Sequence, residues 1–125
     1  TVPENWAGQI EILLFNGSVV NEAVFHHLPS STVLLCDLIE NFEAKRISSP
    51  IMRMVMRIAG ILDPDGKTPF DYRMTFWRHR RQFAQNIRAM IAWAPKQVIM
   101  THGRPYLENG AAELRRAFRW VKDVK

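Results

Sequence analysis

The segment Thr32–Cys36 constrains the fold of this 125-residue chain more than any other feature. Its residues are β-branched or apolar at consecutive positions. The turn signal Pro29-Ser30-Ser31 precedes it, and the charged Asp37 follows it. A short continuous apolar run between turn signals is typical of a strand that is buried on both faces. The segment therefore predicts a sheet with other layers packed on it.

Three further segments have the character of strands. They are Gln9–Phe15 before Asn16-Gly17, Ala23–His27, and Gln97–Thr101 before His102-Gly103. Short apolar runs bounded by Asn-Gly, Pro-Ser or Gly turns predict strands. The first three strands are joined by tight turns, which indicates an antiparallel meander or the edge of a mixed sheet.

Helical spacing dominates the chain after Phe42. We predict helices over Pro50–Ile61, Thr75–Ala94 and a last segment from Asn109-Gly110 onward. Apolar residues four or three positions apart form inward stripes: Phe83, Ile87, Met90 and Ala94 in the second helix, and Leu114, Phe118 and Val121 in the third. The order strands, helix, helix, strand, helix predicts an α/β (α+β) fold in which helices cover a mixed sheet.

The charges are divided unevenly along the chain. Residues 1–44 contain six acids and no Lys or Arg, whereas all 17 basic residues lie from Lys45 onward with six further acids, giving −6 and +11. A uniformly basic nucleic-acid-binding protein is therefore excluded. We expect a single domain over 1–125, with a strand-rich acidic part at 1–44 and a helix-rich basic part with one late strand at 45–125.

The chain contains one cysteine, Cys36, so it cannot form an internal disulfide. This indicates a reducing compartment, and we expect a cytoplasmic location. Because Cys36 ends the predicted buried strand, we interpret it as an inert small hydrophobic residue rather than a nucleophile. No apolar run approaches the ~20 residues that cross a bilayer, so we expect no membrane partner.

Asp37 and His102 each follow directly on a predicted strand. Ligands of layered α/β proteins bind at this edge of the sheet, and the two side chains would share one cleft if the strands are neighbours. A carboxylate and an imidazole suit zinc, iron or manganese. The alternatives are an Asp that caps a turn and a His in a loop. Glu22, at the start of a strand, is either a third ligand or an ordinary exposed residue.

The segment Trp77-Arg78-His79-Arg80-Arg81 combines aromatic and cationic side chains. Such a combination can serve phosphate contact and base stacking. On a continuous helix Arg78 and Arg81 share a face while Arg80 does not. We favour a solvated helix surface that pairs with acids elsewhere, so nucleic acid is not the preferred partner.

The block from Asn21 to Phe42 resembles an uncharacterised family of metallo-β-lactamase-like proteins. In that family a strand pair reads approximately N-E-x-x-F-x-H-x-P-S-x-T-L-x-x-x-D-L-x-x-N-F, and a later strand ends in H-G, as at His102-Gly103. The resemblance implies the C-terminal half of an αββα sandwich. It also implies that Asp37 and His102 are metal ligands, with Glu22 in the region where the superfamily has another His.

The superfamily's first metal motif, H-x-H-x-D-H, does not occur in this chain. The resemblance therefore implies a metal-dependent hydrolase only in a complete protein, with zinc or another divalent metal and a small-molecule substrate. We expect the chain alone to be inactive, and its partner to be the missing N-terminal half or a second copy. The alternatives are a non-catalytic interaction domain and a phosphate- or nucleic-acid-binding module that uses the basic helices. Whether Thr1 is a native start stays open.

Overall fold

The computed structural model describes residues 3–122, and four strands form its sheet. They are β1 (Ile10–Asn16), β2 (Asn21–His27), β3 (Thr32–Leu35) and β4 (Gln97–Met100), in the spatial order β1-β2-β3-β4. The first three are antiparallel neighbours, and β4 lies parallel to β3. The mixed sheet and all four predicted strands are confirmed, with bounds that differ by one or two residues.

Among residues 3–122, four α-helices accompany the sheet: α1 (Pro50–Ala59), α2 (Phe70–Thr75), α3 (Arg80–Ala92) and α4 (Gly110–Ala117). Ser49 caps α1 by accepting a hydrogen bond from the Met52 amide, and Gly60 ends it in the left-handed conformation. None of the helices within residues 3–122 has the length and apolar composition that crossing a bilayer requires.

The prediction of one helix over Thr75–Ala94 is wrong. Helix α2 ends at Thr75, whose hydroxyl donates to the Tyr72 carbonyl, and a 3₁₀ turn over Trp77–His79 precedes α3. Phe76 is buried at this break with its ring centroid 4.6 Å from that of Phe83. Burial of Phe76 therefore accompanies a break between the two helices that the apolar spacing does not encode. Ala94 lies beyond α3 and does not extend its inward stripe.

One face of the sheet carries the hydrophobic core. Helix α3 packs on β1 and α4 on β4. The buried hydrophobic strand residues on this face are Phe15, Val24, Val33, Leu35, Val98 and Met100. The residues packed against them include Phe83, Ile87, Met90 and Leu114 from the helices, and Phe118, which directly follows α4. The predicted inward stripes are confirmed at Phe83, Ile87, Met90 and Leu114. Helix α4 ends earlier than predicted, so Phe118 is buried and Val121 half-buried beyond its end.

The opposite face of the sheet, called the open face below, is also apolar. Cross-strand pairing aligns Ile12 with Phe25, Phe25 with Leu34, and Leu34 with Ile99. Leu34 and Ile99 are exposed, and Ile12 and Phe25 are half-buried. The prediction that Thr32–Cys36 is buried on both faces is therefore wrong, because α3 and α4 both pack on the other side.

Helix α1 belongs to an excursion between two paired points of the chain. The Phe42 amide donates to the Ile61 carbonyl at 2.8 Å, and the Asp63 amide donates to the Phe42 carbonyl at 2.9 Å. None of the residues of α1 is buried. Its exposed large apolar side chains are Ile51, Met52, Met54, Val55 and Ile58.

Candidate functional site

Asp37 and His102 lie side by side at one edge of the sheet. Strands β3 and β4 are parallel neighbours with Leu35 paired to Met100, and each site residue follows two positions later. Asp37 Oδ1 lies 3.1 Å from His102 Nε2. The parallel pairing of β3 and β4 is thus what brings together two residues that are 65 positions apart in the sequence.

Both side chains are accessible from solvent. The exposed fractions are 41% for the Asp37 side chain and 51% for that of His102. The ring of Phe42 stacks on the imidazole with centroids 6.1 Å apart. The imidazole is therefore supported on one side while its Nε2 faces the carboxylate.

Glu22 holds the turn that carries Asp37. Its buried carboxylate accepts hydrogen bonds from the amides of Cys36 (2.7 Å), Asp37 (3.1 Å) and Leu38 (3.1 Å), and from the Tyr72 hydroxyl (2.9 Å). Burial raises the pKa of this carboxyl, and the hydrogen bonds from Cys36, Tyr72 and Asp37 oppose that effect. The interpretation of Glu22 as an ordinary exposed residue is wrong. Its two oxygens are engaged in positioning Asp37.

Asn41 connects three loops beneath the site. Its fully buried side-chain amide donates to Asp63 Oδ1 at 3.0 Å and to the Arg104 carbonyl at 2.9 Å, and its oxygen accepts from the Gly66 amide. Its backbone amide also donates to the His102 carbonyl at 3.0 Å. Both amide hydrogens and the oxygen of this side chain are engaged, so the loop with His102 is held firmly.

Gly103 allows that loop to approach Asn41. Its φ is +103°, and a Cβ at this position would overlap the Asn41 carbonyl. An L-residue is disfavoured there for both reasons. The Gly that follows His102 is therefore a requirement of the site's backbone, which the His-Gly pattern alone does not explain.

Glu40 is a nearby acid that sequence reasoning missed. Burial raises the pKa of its half-buried carboxyl, His102 lowers it, and Asp37 raises it. Within the described residues, however, no group of three His, Cys, Asp or Glu side chains is arranged to hold a metal.

Asn41 and Tyr72 were missed as well. Asn41 offers a signal, because a neutral amide among the apolar residues Leu38, Ile39 and Phe42 is typical of a buried, fully hydrogen-bonded side chain.

Asp37 Oδ1 and His102 Nε2 are in direct contact, and their separation is also that of two adjacent donors on one divalent ion. Metal–ligand bonds of about 2.1 Å place neighbouring donors about 3.0 Å apart in octahedral and about 3.4 Å apart in tetrahedral coordination. The observed separation of 3.1 Å lies in this range. These are two donors, whereas zinc sites in proteins use three or four protein ligands.

The other histidines and Cys36 do not join this pair. His26 is buried against Trp93, with ring centroids 4.9 Å apart, and its neighbour His27 bonds Ser30 Oγ through Nδ1 at 2.7 Å. The two imidazoles lie on opposite faces of β2, because successive side chains of a strand alternate. Cys36 is exposed, which corrects its placement in a buried strand. Partial burial and the carboxylates of Glu22 and Asp37 raise the pKa of its thiol, which disfavours the nucleophilic thiolate.

The basic cluster lies apart from these residues, on the helical side of the molecule. Arg80 and Arg81 both line a groove there, whereas Arg78 does not. The 3₁₀ turn at Trp77–His79 changes the faces that a continuous helix would present. The predicted pairing of Arg78 with Arg81 on one face therefore does not describe this groove.

Comparisons with protein-family models, with curated proteins and with solved structures give no match. The fold and the site define a mixed α+β protein with a His–carboxylate pair at the carboxyl edge of two parallel strands.

Proposed function

We propose that Asp37 and His102 are two ligands of a divalent-metal site in a metal-dependent hydrolase. The observation that carries the proposal is the separation of 3.1 Å between Asp37 Oδ1 and His102 Nε2 at the ends of adjacent parallel strands. Ligand sites of layered α/β proteins lie at this edge. The donor set suits zinc, iron or manganese.

The chain's own residues would hold this site in place. Glu22 fixes the backbone of Asp37, and Asn41 fixes the loop of His102. Bound metal would supply Lewis-acid polarisation of a carbonyl or phosphoryl oxygen of the substrate. The residues of this chain orient two ligands, and the remaining ligands come from the complementary half.

We further propose that this chain is the C-terminal half of a metallo-β-lactamase-like αββα sandwich. The open face supports this interpretation, because apolar residues on an uncovered sheet face are favourable only against another layer. The proposed occupant is the second sheet of the sandwich, which would contribute the missing ligands. The chain alone is then inactive, since two ligands rarely hold a catalytic metal with useful geometry.

Zinc titration with calorimetric detection tests the metal site. We expect weak binding of about one zinc ion, lost in the Asp37→Ala, His102→Ala double variant. The matched control is Asp65→Ala with His79→Ala, which removes one carboxylate and one imidazole from exposed positions. Zinc perturbation of the His102 imidazole resonances gives a second readout. Binding that survives loss of both Asp37 and His102 would contradict the proposal.

A second candidate is a non-catalytic interaction domain that keeps the fold without a metal centre. It is favoured by Glu22, whose oxygens are already occupied by three backbone amides and a hydroxyl. No detectable zinc binding, together with association through the open face, would favour this function over hydrolysis.

A further inference from the structure

A groove of about 650 Å³ lies on the helical side of the molecule, and none of its lining side chains belongs to a strand. Five lining side chains are basic: Arg73, Arg80, Arg81, Arg88 and Lys122. Within the part of the chain that the structure describes, no Asp or Glu lines it. A volume of this size suits a small ligand, and its wall is strongly positive.

Two tryptophans supply flat apolar surface in the same groove. Trp77 is 64% exposed, and the Arg80 guanidinium carbon lies 5.5 Å from its ring centroid. Trp120 is half-buried beneath the guanidinium of Arg73, 4.5 Å from the centroid. Exposed Trp beside Arg is a combination that stacks on a planar ring while the cations bind a charged group.

Arg73 lacks an acidic partner among residues 3–122. Its Nε donates to the Thr68 carbonyl at 2.8 Å, and none of the described carboxylates lies within 4.0 Å of it. Burial lowers the pKa of Arg73, and the charge of Arg119 lowers it further. A partly buried cation that is repelled by another cation gains from an anion nearby.

The first turn of α3 also favours a bound anion in this groove. Arg80 and Arg81 occupy its first turn, which contains no acidic residue, and His79 makes no side-chain cap. Basic residues at a helix N-terminus oppose the helix dipole, so their presence costs free energy unless an anion offsets it. Arg88 follows Arg81 by seven residues and lies on the same face of α3.

We propose that this groove binds a nucleotide unit, with phosphate on Arg81 and Arg88 and the base stacked on Trp77. The unit is either a free nucleotide or part of single-stranded nucleic acid, since both present the same phosphate and ring. The groove shares no residue with the Asp37–His102 pair, so this inference stands apart from the proposed metal site.

Fluorescence anisotropy with a labelled short oligothymidylate tests the phosphate contacts. We expect Arg81→Ala with Arg88→Ala to weaken binding by about tenfold or more and to reduce the salt slope by about 1.4, about 0.7 for each phosphate contact. The matched control is Arg53→Ala with Arg57→Ala on α1, which removes the same charge from exposed positions outside the groove. Equal losses in both double variants, or no binding by the wild type to either oligothymidylate or ATP, would overturn the proposal.

Trp77→Ala tests the base contact. Loss of stacking should lower affinity for the oligonucleotide or for ATP by about 5- to 100-fold, while competition by inorganic triphosphate stays unchanged. Circular dichroism and urea unfolding establish that the variants remain folded. If the protein binds ATP but not the oligonucleotide, the ligand is a free nucleotide. If it binds the oligonucleotide but not ATP, the ligand is single-stranded nucleic acid. Unchanged affinity for both in folded Trp77→Ala contradicts the inference.

Discussion

Glu22 Oε2 accepts a hydrogen bond from the backbone amide of Asp37 at 3.1 Å, so a buried carboxylate on β2 sets the position of an exposed one after β3. The same carboxylate receives the amides on either side and the Tyr72 hydroxyl. The buried Glu22 side chain therefore determines the backbone conformation from which Asp37 projects.

Replacing Glu22 by Ala leaves three backbone amides and a hydroxyl without their acceptor. We expect the free energy of unfolding to fall by about 2–4 kcal/mol. In the folded variant these buried donors would have neither Glu22 nor water as an acceptor, whereas in the unfolded chain they bond water. Glu22→Gln should cost less, since it keeps one acceptor oxygen and removes a buried charge. Urea unfolding measures both, with the exposed Glu108→Ala as control. Equal stability of the Ala variant and the control would contradict the role of Glu22.

Glu40 predicts a pH dependence of stability. Burial raises its folded-state pKa above the ordinary value of 4.5, so its contribution to stability is present below that pH and is lost as the pH rises through the folded-state pKa. The wild type should therefore lose stability relative to Glu40→Gln as the pH rises from about 4 to 7. Urea unfolding of both proteins across this range measures the difference.

Added salt provides the control for the Glu40 prediction. Because burial is the largest cause of the raised pKa, the pH-dependent difference should persist at high ionic strength, where interactions with exposed charges are screened. Parallel stability curves for the wild type and Glu40→Gln would show that the ionisation of Glu40 is not linked to folding.

Gly103→Ala should destabilise the His102 loop by more than the cost of placing an L-residue at positive φ. Its new Cβ would overlap the Asn41 carbonyl, whereas a Cβ added to Gly8, also at positive φ, would have none of the described atoms within 4 Å. Gly8→Ala should cost about 1–2 kcal/mol of unfolding free energy, and Gly103→Ala clearly more. Zinc titration should also show weaker binding for Gly103→Ala only. Similar losses of stability in the two variants would argue against a close approach of the loops.

The open face predicts self-association of the isolated chain. Leu34 and Ile99 are exposed cross-strand neighbours on it, so Leu34→Lys with Ile99→Glu should shift the population toward monomer. Size-exclusion chromatography with light scattering at several concentrations measures this shift. Ala92→Lys with Ala112→Glu places the same charges on exposed helix positions as control. A wild type that stays monomeric at every concentration would remove support for an uncovered sandwich layer.

The strands were predictable because each is a short apolar run between turn signals, as at Thr32–Leu35 and Gln97–Met100. Their parallel pairing was not, since no local pattern specifies which strand lies beside which. The proximity of Asp37 to His102 depends on that pairing and its register, so the sequence predicts it only conditionally. The burial of Glu22 was hidden for a similar reason, because its hydrogen-bond donors come from residues 14 to 50 positions away.

Other differences arise from packing that periodicity does not contain. A continuous apolar run such as β3 reads the same whether its second face meets a helix of the same chain or another layer. The break before α3 depends on the burial of Phe76, one aromatic residue within an otherwise helical pattern. Spacing predicts which residues turn inward, as at Ile87 and Met90, but not where one helix gives way to the next.

The paired backbone at Phe42, Ile61 and Asp63 makes the chain leave the domain and return at a single point. The residues between Phe42 and Ile61 form a loop that contains α1 and is closed by hydrogen bonds at its two ends. The length of this loop therefore does not affect the position of the His102 loop. Loop-closure entropy changes slowly with length, so additions or losses there cost little. The exposed apolar side chains of α1 can therefore change without moving Asp37 or His102.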